Sequence, residues 1–287
     1  MKLRSTLWLQ VCLSILIAAS SAFAADSAAV AAAAADVPAS VRTANEADRK
    51  MNKPSVQLTD VQILEHAREA NDDVYNALQS FVCNEQINRF KGNLTGEVAK
   101  PVDVVTAKLS FEKGSEQYTE VHQNNRAKAG MSSIPGAWSE GEFGTLLMQT
   151  QQLLQTQSVN FDSFTDVAGE QAANFHFDVT SEESPWDLLV AGHHYKVAFR
   201  TNVTISVATG EILKIQRASI NLDKETRISG IEWGITLAHV DLSGKPWLLP
   251  RTGTYAVSYQ ESKHKEWNEL SFSGYKRYSA ETAVKFD

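Results

Sequence analysis

Two periodicities divide this chain. From about Asp60 to Ser80 the apolar residues return at helical spacing, with Val61, Leu64, Ala67, Val74, Leu78 and Phe81 on one face. Glu65, Arg68, Glu69, Asp72 and Asp73 occupy the other. Thr59-Asp60-Val61-Gln62 reads as a capping box, Thr59 as cap and Gln62 reaching back. Beyond this helix the period falls to two. Val105, Ala107, Leu109 and Phe111 alternate with polar residues, as do Phe175, Phe177 and Val179, then Tyr195, Val197 and Phe199. Val203, Ile205 and Val207 lead to a turn at Ala208-Thr209-Gly210, and Ile212 to Ile220 returns as a second strand. Ile231, Trp233, Ile235 and Leu237 line one face of a long strand; Tyr255, Val257 and Tyr259 line another; Leu270 and Phe272 a third. Strands at short spacing with no helix between them predict a large antiparallel sheet, curved or partly closed, with one face buried.

One segment interrupts the strands. Ser139-Glu140-Gly141-Glu142 reads as a second capping box. Phe143, Leu146, Leu147, Leu153 and Leu154 follow at helical spacing, with Met148 beside them. No charged residue stands between Phe143 and Phe161, and the polar side of this helix is Thr and Gln alone. A free surface helix carries charges, so this one is expected to be covered on more than one side. It is either a second core helix or a movable lid over an apolar cavity. As a lid, its ligand-facing residues would be Phe143, Leu146, Leu147 and Met148, with Trp233 on the facing strand.

The N-terminus changes the setting. Met1-Lys2-Leu3-Arg4 is a basic start, Leu7 to Ala19 is apolar but for Gln10 and Ser14, and Ala22-Phe23-Ala24 offers small residues for cleavage. That is the layout of a secretory signal peptide over 1–24, cut between Ala24 and Ala25. The apolar run falls short of the ~20 residues of a bilayer span, and no later stretch supplies a transmembrane segment. Residues 25–56 form an Ala-rich linker too poor in large apolar groups to offset ordering entropy. Residues 57–287 form a single β-rich domain. A periplasmic or secreted protein is the expectation. Loss of Lys2 and Arg4 takes the formal charge from −7 to −9, which disfavours nucleic acid and anionic headgroups as partners of its surface. Cys12 leaves with the signal, so Cys83 remains as a lone thiol, read as a small buried apolar residue.

Catalytic chemistry is not legible. Ser110-Phe111-Glu112-Lys113 and Ser273-Gly274-Tyr275-Lys276 match S-x-x-K, but both lie in strand alternation, whereas active versions open a helix. G-x-S-x-G, G-x-x-x-x-G-K and H-E-x-x-H are absent. His193-His194 would point to opposite faces of a strand and cannot chelate one ion. Asp72-Asp73 and Glu182-Glu183 read as solvated pairs. No catalytic residue, cofactor or metal is expected, and the chain is read as a non-enzyme.

Three places carry a family resemblance. Val74-Tyr75-Asn76-Ala77-Leu78-Gln79-Ser80-Phe81 looks like a helix running into a first strand. Residues 203–215 look like a hairpin with a Thr-Gly turn. The segment 240–250 precedes an Asn-x-x-x-Phe-x-x-Tyr-x-x-Tyr strand over Asn268–Tyr278. Together they resemble the LolA/LolB-like exported bacterial proteins, the outer-membrane lipoprotein-sorting carriers and their uncharacterised relatives. That resemblance implies an α+β, mainly β fold: an unclosed half-barrel packed with an N-terminal helix and a second inserted helix. It also implies a periplasmic binding module for an acyl chain, lipid or lipoprotein. The alternative is a protein–protein interaction or envelope sensor module on the same fold, with an envelope protein as partner and no lipid.

Overall fold

The computed structural model describes residues 58–93, 100–136, 138–260 and 264–277. The signal peptide, its cleavage site, the linker and Tyr278 lie outside the described residues. The chain opens with α1 (Asp60–Leu78). A first run of strands follows: β1 (Phe81–Asn93), β2 (Lys100–Glu112), β3 (Ser115–Gln123) and β4 (Arg126–Ala127). Then come α2 (Thr145–Thr156), β5 (Asn160–Val167) and β6 (Glu170–Val179), and a small hairpin of β7 (Asp187–Val190) and β8 (His193–Lys196). The last run is β9 (Ala198–Ser206), β10 (Ile212–Ile220), β11 (Ile228–Leu242), β12 (Lys245–Tyr259) and β13 (His264–Arg277).

Eleven strands form one antiparallel sheet in the order β4-β3-β2-β1-β13-β12-β11-β10-β9-β6-β5, which does not close into a barrel. Two meanders make it. β1 to β4 build one wing; β5, β6 and β9 to β13 build the other and return to β1, where Phe81 pairs with Arg277, while β7 and β8 pair only with each other. Register shifts within β1, β2 and β11 mark bulges, which bend strands. The fold class is as expected: mainly β, one large open antiparallel sheet and two helices.

Period-two alternation places the inner face. On β1 the inward series is Phe81, Cys83, Glu85, Ile87 and Arg89. Both helices bury against that face in one continuous core. The Thr59–Gln62 capping box is present, but the stripe of α1 differs from the expected one. Val61 is 60% exposed, while Ile63 is fully buried with Ala67, Val74 and Leu78. Val61 stands in the first turn and projects to solvent; the stripe that meets the sheet starts at Ile63. Two strand boundaries also differ. Tyr195 belongs to the small hairpin rather than to the strand of Phe199, and Val207 falls in the turn after β9.

α1 docks through an amide. Asn71, fully buried, donates through Nδ2 to the carbonyls of Ala67 (2.6 Å) and Gly210 (3.0 Å), and its Oδ1 accepts from the Ile212 N–H (3.0 Å). It thus satisfies two main-chain groups of the β9–β10 turn. Gly210 has φ +72°, and a Cβ there would stand 2.8 Å from the His66 backbone, so only glycine lets the turn approach the helix.

Two outcomes follow from this packing. Asn71→Ala leaves the Gly210 carbonyl and Ile212 N–H buried without partners, and should cost about 3 kcal/mol in urea unfolding at unchanged m-value. A loss below about 1 kcal/mol would show that the turn re-pairs. Cys83 is buried at 2% exposure, with burial and then Glu85 pushing its pKa upward. Native protein should therefore react slowly with a thiol reagent and rapidly once unfolded; equal rates would contradict its burial.

Candidate functional site

The candidate site is the seat of α2 on the concave face. β4 and β5 are the two outermost strands of the sheet, and residues 128–159 run between them. This segment therefore carries the chain from one free edge to the other, and α2 within it takes no part in strand pairing. Leu146, Leu147 and Leu154 are fully or almost fully buried, Leu153 is buried, and Phe143 packs against Phe272 and Tyr275. Burying each of these side chains contributes about 1.5–3 kcal/mol. Of the five residues expected to face a ligand, Phe143, Leu146, Leu147 and Trp233 are buried in the core and Met148 is half-buried. In this state α2 fills the interior. Two open clefts of about 190 and 210 Å³ lie elsewhere, at Arg89–Asp103 and around Gly234–Gly253; none of the five lines either.

The polar side of α2 explains its lack of charge. Gln149, Thr150 and Gln151 are themselves buried. Gln151 donates to Asp72 of α1; Arg68 Nε donates to the Leu154 carbonyl at 2.9 Å and so satisfies a C-terminal carbonyl of the helix. Facing the sheet, Arg217 of β10 donates to Gln149 Oε1 at 2.8 Å and lies 3.5 Å from Thr150 Oγ1; its Nε lies 3.3 Å from Thr201 Oγ1. The guanidinium sits 4.1 Å from the centroid of Phe199 and 5.6 Å from that of Trp233. α2 is thus enclosed between α1 and the sheet, and a charge on it would be taken out of water.

The N-terminus of α2 departs from the expected capping box. Ser139 does hydrogen-bond Glu142, but the helix starts at Thr145 after Gly144, with no cap from its own side chains. The cap comes from β3. Glu116 accepts from the backbone N–H groups of Gly141 (2.9 Å), Phe143 (2.8 Å) and Gly144 (2.9 Å), and from the Tyr118 hydroxyl (2.5 Å). Three free donors and the positive end of the helix dipole meet one carboxylate. Space is tight there: a Cβ on Gly141, at φ +121°, would stand 2.9 Å from Trp233, and one on Gly144 would meet Phe111 at 2.6 Å.

Around this cap the interior is acidic. Burial raises the pKa of Glu116, which its four donors oppose. Glu142 is pushed up to about 8, by burial and then by Glu116, with Ser139 opposing. Glu140 rises to about 7 by burial and then Glu116. Glu85, 2% exposed, is raised well above the carboxylate range by burial and then by Glu142. Burial favours the protonated, neutral form of Glu85 and Glu142 in the core. Sequence reading missed Glu85, Glu116, Glu142 and Arg217. For Glu85 and Arg217 the signal was a charged residue in an inward slot of a period-two strand.

The remaining candidates stay apart. Ser110 and Ser273 lie on strands β2 and β13, and the Ser110 hydroxyl donates only to Glu112. His193 and His194 are exposed on β8, and His194 pairs with Asp187 at 2.5 Å. Among the described residues no group of three or more His, Cys, Asp or Glu side chains is arranged to hold a metal ion, and no helix is long and apolar enough to cross a membrane.

The acidic cluster sets a pH dependence. A carboxyl whose folded pKa lies above its unfolded value stabilises the fold fully below the unfolded pKa. That stability is lost as pH rises through the folded pKa. For Glu142 the window runs from about 4.5 to about 8, and one such group accounts for about 3 kcal/mol between pH 5 and pH 8. The melting temperature should fall steadily across that interval. Glu142→Gln should flatten the fall and leave the variant more stable than the parent at pH 8. A parent profile that is flat or rises from pH 5 to 8 would overturn this assignment.

No family model matches this chain, and no curated protein matches it. Three solved structures are similar to it. A domain described as an outer membrane lipoprotein-sorting protein, from Vibrio parahaemolyticus, shares 12% identity with a TM-score of 0.37, covering 77% of this chain and 93% of its own. A DUF1329 family protein from Desulfovibrio piger shares 9% identity with a TM-score of 0.37, over 77% and 95%. Lipoprotein LppX of Mycobacterium tuberculosis shares 9% identity with a TM-score of 0.28, over 77% and 98%.

Proposed function

We propose that this chain is an exported, non-enzymatic binding module that takes an acyl chain, from a lipid or a lipoprotein, into the concave face of its sheet in place of α2. The observation that carries this reading is topological. The segment 128–159 joins the two free edges of the sheet and lays α2 across its concave face without contributing to any strand ladder. Displacing it exposes an apolar trough while the eleven-strand hydrogen-bond network stays whole. The hydrophobic terms of the exchange nearly cancel. A ligand burying about ten methylenes gains roughly 8 kcal/mol, the same order as the few large apolar side chains that α2 would withdraw. Association costs several kcal/mol more, so ten methylenes alone do not hold α2 open; a longer chain or a further contact is needed, and affinity should be weak, as a carrier that must release requires. Phe143, Leu146, Leu147 and Met148 then line the moving side of the site, and Trp233 the fixed side. The alternative, a partner protein pairing with a sheet edge, meets acidic residues on β5, where Asp162 and Asp166 flank the exposed Phe164.

Native mass spectrometry of protein exported by its own host tests this. The expected spectrum shows a chain beginning at Ala25 and carrying the mass of one amphiphile, which organic extraction removes. The extracted protein should rebind a fluorescent fatty acid weakly and saturably. Protein that carries no amphiphile and binds no fatty acid after extraction would overturn the reading.

A further inference from the structure

The buried guanidinium of Arg217 stands out once the charges of the interior are paired off. The other deeply buried arginine, Arg89, has its carboxylate: Asp103 accepts from Nε and Nη2 at 2.6 Å each, and both side chains are 6% exposed. Arg217 is 1% exposed and lies at the centre of the α2 seat. Its three acceptors, Gln149, Thr150 and Thr201, are all neutral, and two aromatic rings flank it. No described carboxylate pairs with it. Burial alone moves its pKa, downward to about 9, so it remains charged at neutral pH. Hydrogen bonds to neutral oxygens and ring faces offset only part of the cost of taking a full charge out of water.

Two of those neutral acceptors sit on α2, the element that leaves when the trough opens. Opening frees the Nη1 and Nη2 donors together, one fork of a planar guanidinium. That fork matches two oxygens of a carboxylate or a phosphate in a bidentate pair. Phe199 and Trp233 wall the fork with apolar surface, so an acyl chain attached to the anion can lie against them.

We propose that Arg217 is the headgroup site of this module, and that its ligand is a single-chain amphiphile with an anionic oxygen head, a carboxylate or a phosphate monoester. The inference rests on the acyl-chain reading above and adds the identity of the head. In the closed state Gln149 Oε1 and Thr150 Oγ1 stand where the ligand's oxygens would go. The ligand supplies the countercharge that the fold lacks, and α2 yields its place to it. Binding and opening are then coupled through one side chain, because the guanidinium cannot serve both sets of acceptors at once.

Titration with decanoate, decyl phosphate and decanol, followed by tryptophan fluorescence and by calorimetry, tests the assignment. The parent should bind at least one of the two anions roughly tenfold or more tightly than the alcohol, as expected when a neutral contact becomes a charge-assisted one; which anion binds better identifies the head. Arg217→Met should abolish the preference. Because that variant alters the core, Gln149→Glu provides a second arm. It places a carboxylate at 2.8 Å from Nη1, satisfies the cation internally, and should hold or raise the melting temperature while weakening anion binding tenfold or more. Equal binding of all three probes by the parent, or undiminished anion binding by a folded Gln149→Glu protein, would overturn the headgroup site and leave the acyl-chain reading standing. If none of the three probes binds, the acyl-chain reading itself fails.

Discussion

A sheet that does not close must have its concave face covered, and in this chain that demand falls on two helices. α1 answers it from the N-terminus and α2 from the middle of the chain. Most helical stability in proteins comes from tertiary packing, so each is held by what it buries and by polar groups sent to it from elsewhere. Asn71 binds α1 to the β9–β10 turn. Glu116, Arg68, Asp72 and Arg217 bind α2 at its start, its end and along its length. None of those four side chains belongs to α2. The helix supplies apolar surface and neutral polar groups, and its surroundings supply the charge.

That division makes the interior electrically uneven. Glu85, Glu116 and Glu142 gather at the N-terminal end of α2, and Arg217 sits at its middle with Trp233 between the two regions. Glu85 and Glu142 avoid the cost of buried charge by favouring their protonated forms, and Glu116 is offset by the four donors aimed at it; the guanidinium has no such escape at neutral pH and relies on amides, hydroxyls and rings. A core built for stability alone would use fewer ionisable groups. Their concentration beneath one crossing helix is what sets this seat apart from the rest of the sheet.

The fold was largely readable from the sequence. Period-two runs from Val105 to Phe272 mark an antiparallel sheet because inward and outward positions alternate strictly, and the Thr59–Gln62 box locates α1 to the residue. The site was less so. Ser139–Glu142 has the spelling of a capping box and its side chains do meet, yet the helix begins five residues later than that box implies, at Thr145, and is capped by Glu116 from another strand. A cap supplied across the fold leaves no local spacing to recognise. Glu85 and Arg217 are different: each occupies an inward slot flanked by apolar inward neighbours, Cys83 and Ile87 in one case and Ile215 in the other. The alternation contained that information, since a charge in such a slot is either buried or breaks the strand. Whether α2 is core or cover could not be read from its residues, because both roles demand the same apolar face.

The pairing of β1 with β13 has a consequence for how the molecule assembles. Each wing is a meander of neighbours close in sequence and can form locally, but the seam between the wings joins the first strand to the last. Such a seam closes a loop spanning most of the chain, which is slow in entropy terms. Until β13 is in place, β3 and its Glu116 are not fixed relative to β10 and Arg217, and α2 lacks both of its anchors. The crossing helix is therefore among the last elements to settle. A chain that threads a membrane from its N-terminus would stay unfinished, and pliable enough for passage, until its final strand has emerged.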